Sequence, residues 1–269
     1  MKRLFLIVGM VILILGITSC DSSNNVLSPG VGTLSVGLSP NLSYSTKTRA
    51  VNEEEYRNAD NYTVQIQEVG SALMYDDLYK NMPMSFDMEA GKTYTVKAFY
   101  GENVDGGFEK LYMEGNQQFT ISEGEQKNLI LSCRPANVKV TVEYTDNFLK
   151  YYSDCTVSLQ TSHLAEPFLM NMNTDAGKEA YFKADITGEI INISVSGIKD
   201  KSGNSVDMGG ALTATKNVTP KTHITITVDP EIITISTGEA SLDVSVDTST
   251  EDKDVNIEIP EEYWPGSIN

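Results

Sequence analysis

Short runs in which apolar residues take every second position recur along the chain: LSVGL at 34–38, YTVQIQ at 62–67, YTVKA at 94–98, VKVTV at 138–142, VSL at 157–159, INISV at 191–195 and ITITV at 224–228. Successive side chains of an extended backbone point to opposite faces. A period of two carried by Val, Ile, Thr and Tyr therefore predicts half-buried antiparallel strands. Turn signals separate the runs: Ala90-Gly91, Asp105-Gly106-Gly107, Glu123-Gly124, Ser202-Gly203-Asn204 and Gly209-Gly210. Helical periodicity is scarce, and residues 52–58 and 146–152 carry a helical turn each at most. Segments 232–235 and 242–246 predict further strands, ahead of an acidic stretch at 247–254 and a tail holding Trp264, the single tryptophan. The expected class is all-β, built of antiparallel β-sandwiches of immunoglobulin-like kind.

The pattern also repeats. GKTYTVKA at 91–98 aligns with GEIINISV at 188–195, an offset of 97. The same offset brings Ile121 onto Val218, Leu129 onto Ile226 and Leu131 onto Val228. Two consecutive domains, 33–134 and 135–230, would explain it, with C-terminal strands and an acidic tail over 231–269. The join would be Arg134-Pro135-Ala136, since proline cannot donate to a sheet ladder and suits a strand break. The competing explanation is that alternating sequences align readily.

The N-terminus has a different texture. Lys2 and Arg3 precede an apolar run over 4–17, the layout of a secretory signal. About 14 apolar residues fall short of the roughly 20 that a spanning helix needs. Ile17-Thr18-Ser19-Cys20 resembles the bacterial lipobox. That resemblance implies cleavage before Cys20 and diacylglycerol on its thiol, making 1–19 a signal peptide and 20–32 a polar tether. An ordinary signal peptide and an N-terminal membrane anchor are the alternatives. Loss of Lys2 and Arg3 takes the net charge from −17 to −19. Such an acidic chain is a poor partner for nucleic acid or an anionic lipid surface. The expectation is an outer-membrane lipoprotein, facing the cell surface or the periplasm.

Chemistry is sparse. With Cys20 taken by lipid, Cys133 and Cys155 are either a disulfide across the join or two buried thiols. The two histidines are His163, in a loop with Ser162 and Glu166, and His223, expected on the solvent face of a strand. No G-x-S-x-G or H-E-x-x-H accompanies them, so no catalytic residue, cofactor or metal is expected. Asp200, Asn204 and Asp207 surround Gly203 at a spacing unlike the EF-hand, and a plain turn explains them better than calcium. Aromatic residues concentrate in the first half, where Tyr100, Phe108 and Tyr112 flank turns and are candidate glycan contacts. Core packing competes for each of them.

Seven local texts in order, the lipobox, GTLSVGL, TKTRA, NYTVQI, AGKTYTVKAFYG, FTISEGEQKNLILSC and NVKVTVEY, resemble an uncharacterised lipoprotein family of Bacteroidales that carries a domain of unknown function. That family is similar to fimbrillin-like and fimbrial anchor proteins, pairs of transthyretin-like sandwiches on a lipidated N-terminus. The resemblance implies a non-enzymatic surface protein, with pilus or adhesin assembly through strand-edge pairing to other subunits. In fimbrillins an arginine-specific protease removes the first strand. The matching position here is Arg49-Ala50, which follows the strand expected at 34–38. The plainer reading makes Arg49 a loop residue.

Overall fold

A computed structural model describes residues 30–42, 52–206 and 212–229, together with the backbone of 252–258. The expected strands at 232–235 and 242–246 and the tail with Trp264 lie outside these residues. The alternating runs form strands. The first half contributes β1 (Val31–Pro40), β2 (Thr63–Glu68), β3 (Leu73–Leu78), β4 (Phe86–Glu89), β5 (Thr93–Gly101), β6 (Gly106–Phe108), β7 (Tyr112–Thr120) and β8 (Gln126–Pro135). The second contributes β9 (Asn137–Tyr144), β10 (Tyr152–Gln160), β11 (Phe168–Asn171), β12 (Ala180–Lys183), β13 (Glu189–Asp200), β14 (Leu212–Val218), β15 (His223–Asp229) and β16 (Asp252–Glu258). The expected helical turns are α1 (Glu53–Arg57) and α2 (Asp146–Tyr151), and a third, α3 (Met172–Asp175), follows β11. Thr145 caps α2 by accepting the Phe148 amide at 3.1 Å. The fold is all-β.

The same topology occurs twice. In the first half β3-β2-β5-β7 run antiparallel, and a short pairing of Met113 and Glu114 with Pro135 and Arg134 links β7 to the layer β8-β1-β4. In the second half β11-β10-β13-β14 match the first layer and β15-β9-β12 match the second. The leading strand of each half, β1 or β9, lies parallel to its closing strand, β8 or β15. On its other side it pairs antiparallel with a short strand, β4 or β12. These parallel pairs, and that of β15 with β16, correct the expectation of purely antiparallel sheets. Alternation reports which face a residue occupies and says nothing of strand direction.

The two layers of each half close over an apolar core. Leu34, Val36 and Leu131 of one layer meet Val64, Ile66 and Val96 of the other. The second core forms likewise from Val140, Phe182 and Ile226 against Val157, Leu159 and Ile193. Full burial of such a side chain stabilises by about 1.5–3 kcal/mol. Cys133 belongs to the first core and Cys155 to the second, and both are free thiols. Of the two alternatives, buried thiols and a disulfide across the join, the structure has the thiols, because each cysteine belongs to its own core. Burial pushes both thiols up to about 12, so they stay neutral.

The halves are also interlocked. β6 belongs to the first half by sequence, yet it pairs with β12 at the edge of the second half's layer. Ala180 and Phe182 of β12 enter the second core while Tyr181, between them, enters the first. Beside them the Lys139 ammonium pairs with the Glu179 carboxylate, with side chains 4% and 1% exposed. The Tyr181 hydroxyl donates to the other Glu179 oxygen at 2.6 Å. Asn137 Nδ2 donates to the Lys110 carbonyl at 2.8 Å, across the same seam.

Candidate functional site

β1 is held as an inserted strand. Its residues Thr33 to Pro40 run in register with Gln126 to Cys133 of β8, whereas β4 covers only Val31 to Leu34. Along the remainder of that side the Tyr79 hydroxyl reaches the Val36 carbonyl at 3.5 Å. Further main-chain bonds fix the ends: the amides of Gly124 and Asn41 donate to the carbonyls of Val31 and Cys133 at 2.9 and 2.8 Å. Leu34 and Val36 point inward, with Leu38 packed beside them. Gly32 sits where the slot is tight. A Cβ there would stand 2.6 Å from the Ser122 carbonyl oxygen and 2.7 Å from Ile121 Cγ1. Taken together, β8 offers one continuous ladder edge and a row of apolar sockets, filled by a segment near the N-terminus. Such an edge, if bared, is a template for strand addition. Cys20, Arg49 and Ala50 lie outside the described residues.

The aromatic candidates do not converge. Tyr112 is 5% exposed, so core packing rather than a turn-flanking exposed ring describes it, and its hydroxyl donates to Glu114 at 2.9 Å. Phe108, on β6, packs edge-on against Phe168 at 4.9 Å, with the Lys178 ammonium 5.0 Å above its ring. Tyr100 stacks edge-on with Tyr56 at 4.9 Å and donates to Glu55 at 3.5 Å. Among the described residues, open clefts lie beside Tyr112 and Tyr100. One, of about 540 Å³, lies at the join, with Tyr112, Pro135, Ala136, Lys183 and Lys221 in its wall. The other, of about 440 Å³, is lined by Tyr56, Phe99, Tyr100 and Lys110. Burial pushes Tyr56 up to about 12, so both tyrosines of that cleft remain hydrogen-bond donors at neutral pH.

The remaining candidates resolve into structure. His223 is buried, with Nε2 3.0 Å from Thr141 Oγ1, which corrects its expected solvent-facing position. Its side of the sheet is the side the interlock closes over, since Lys139 is its register partner. Ser162 donates its hydroxyl to Glu189 at 3.0 Å rather than to His163. The Asp200 carboxylate accepts the amides of Ser202 and Asn204, both at 2.8 Å, and these bonds hold it below the usual carboxylate range. That is a turn cap; Asp207 lies outside the described residues. The buried Lys139–Glu179 pair was invisible in the sequence, because alternation assigns Lys139 to solvent and Glu179 lies in no alternating run.

A family model described as a domain of unknown function, DUF4493, matches residues 30–261. No curated protein matches the chain. Solved structures similar to it include a "putative adhesin" from Bacteroides ovatus, at 10% identity and TM-score 0.37 over 78% of this chain and 88% of that one. A fimbrial assembly protein from Parabacteroides distasonis matches at 12% identity and TM-score 0.34, over 70% and 95%. A third, named among "putative polysaccharide binding proteins (DUF1812)" of Bacteroides thetaiotaomicron, matches at 6% identity and TM-score 0.36, over 65% and 78%. Among the described residues no helix is long and apolar enough to cross a membrane.

Proposed function

The chain belongs to the DUF4493 family, and from that premise we propose a non-enzymatic, lipid-anchored outer-membrane protein that serves as a structural, adhesive or anchoring component of a fimbria-like surface assembly. Lipid on Cys20 supplies the anchor and residues 20–32 the tether. Strand-edge pairing supplies the assembly step: cleavage between Arg49 and Ala50 frees β1, and a strand of a neighbouring subunit takes its place beside β8. The observation that carries this reading is the insertion of β1, which is joined to β8 over eight residue pairs and separated in sequence from the rest of its half by the segment containing Arg49. Intact mass and N-terminal mapping of protein taken from membranes tests both parts. We expect an acylated chain starting at Cys20. After treatment with an arginine-specific protease we expect a chain starting at Ala50 that runs as a ladder of oligomers. A cleaved chain that stays monomeric removes the assembly step, and an unmodified Cys20 removes the anchor.

A second reading, surface glycan binding, is favoured by the open cleft at Tyr56, Phe99 and Tyr100, whose rings offer faces on which a sugar can stack. Retarded migration in gels containing polysaccharide, lost in Tyr100→Ala, is its expected signature.

A further inference from the structure

At one end of the second half, two loops bring together three groups that the proposed assembly does not use. His163 lies in the loop between β10 and β11, Asp185 in the turn between β12 and β13, and Glu189 at the start of β13. One ligand atom from each, the imidazole nitrogen and two carboxylate oxygens, fall within 4.8 Å of one another. His163 Nε2 stands 3.4 Å from Glu189 Oε2 and 3.6 Å from Asp185 Oδ1. That nitrogen is shut off from solvent and makes no hydrogen bond. An unsatisfied buried ring nitrogen facing two carboxylates calls for an occupant.

The spacing says which occupant. Both separations exceed the 2.7–3.2 Å of a hydrogen bond to nitrogen, so a protonated imidazole bridging the two acids fits poorly. Ligands at about 2.0–2.2 Å from a tetrahedral ion stand about 3.3–3.6 Å apart, which is the observed pair of distances. An octahedral ion of magnesium size would draw them to about 3 Å. One imidazole with two carboxylates is a set suited to zinc, whereas calcium takes oxygen alone. The arrangement is already oriented: Glu189, 5% exposed, accepts the Ser162 amide at 2.8 Å and its hydroxyl at 3.0 Å. Those bonds hold the carboxylate as outer-shell partners hold metal ligands, and each oxygen keeps a lone pair free. The Asp185 side chain is exposed, so solvent can supply a fourth ligand from that residue's side.

We propose that His163, Asp185 and Glu189 bind one divalent transition-metal ion of zinc type, which clamps the β10–β11 loop to the β12–β13 turn and the start of β13. The experiment is calorimetric titration of the chelator-treated full chain with Zn²⁺, alongside thermal melts with and without the ion. Expected are one high-affinity Zn²⁺ per chain, a raised melting midpoint, and at least tenfold weaker binding in both His163→Ala and Asp185→Ala. Asp185 is the safer variant, because its side chain is exposed and the fold does not lean on it. With Co²⁺ substituted, an intense visible absorption marks tetrahedral coordination. Three outcomes overturn the proposal: no saturable Zn²⁺ binding, binding of equal strength in both variants (ions scattered on an acidic surface), or a response to Ca²⁺ that Zn²⁺ does not give.

Discussion

The residue that most exceeds its apparent importance is Glu179. Alternation assigns Lys139, Thr141 and His223 to an outward face, and for a single sandwich that reading would hold. Here the other half covers that face, so the outward residues become a buried polar seam. No property of the 138–142 run announces this, because burial of an outer face depends on what docks there. Breaking one partner of a buried pair leaves the other charge uncompensated, at a cost of about 3–5 kcal/mol. Glu179→Leu is therefore expected to lower the unfolding free energy measured by urea titration by that amount, with a matching fall in the midpoint, and Glu179→Leu with Lys139→Met together to recover much of the loss. Equal midpoints for the wild type and Glu179→Leu would show that the pair is not felt. The two thiols make the complementary case. Neutral and enclosed in separate cores, Cys133 and Cys155 are expected to resist iodoacetamide in the native protein and both to react in urea without prior reduction. A requirement for reductant would mean a disulfide after all.

At the scale of elements, the strands with a regular period were readable, and so were the two helical turns, where Thr145 starts α2. The short strands were not: β4, β6, β11 and β12 have three or four residues each, too few for a period to emerge. Their extended form comes from the longer strands beside them. Strand direction was equally hidden, and it is what makes β1 an insertion. Gly32→Val puts methyl groups against the Ser122 carbonyl and Ile121, so the variant is expected to loosen β1 and make Arg49 cleavage faster, measured as the rate at which Ala50 appears as N-terminus. A second strand pair answers to pH. Lys199 donates to Asp154 at 2.9 Å and, as the main cause, holds that carboxyl below its ordinary value, while Asn171 and Asn173 add bonds from the β11–α3 side. A depressed folded pKa stabilises fully above the unfolded value, about 3.9, and the contribution fades as pH falls through the folded value. Asp154→Asn is expected to flatten the acid limb of the stability curve and to leave its slope above about pH 5 unchanged. An unaltered acid limb would take Asp154 out of the account.

The whole molecule is one topology used twice and then tied. The offset of 97 residues was legible because the two strands after Gly91 and Gly188, β5 and β13, hold equivalent places at the centre of their layers. The tie was not legible, since it lies in β6 crossing to β12 and in Tyr181 reaching back into the first core. Two cores joined only by residue 136 would unfold separately, as two domains divided near Pro135 would. The tie opposes that. Tyr181 fills the first core from a strand whose neighbours Ala180 and Phe182 fill the second, so neither core can open without disturbing the other. Calorimetry of the intact chain is therefore expected to show one transition, with the measured enthalpy equal to the van't Hoff enthalpy. Tyr181→Ala removes a large side chain from the first core and cuts the hydroxyl bond to Glu179. It is expected to lower the first core's stability by about 3–5 kcal/mol and to split the melt into two transitions, with the second core's near the original midpoint. A single lowered transition would mean that the seam formed by Lys139, Glu179 and the β6–β12 pairing suffices to keep the halves cooperative. Two transitions in the unmutated chain would make the tie incidental and the halves independent domains.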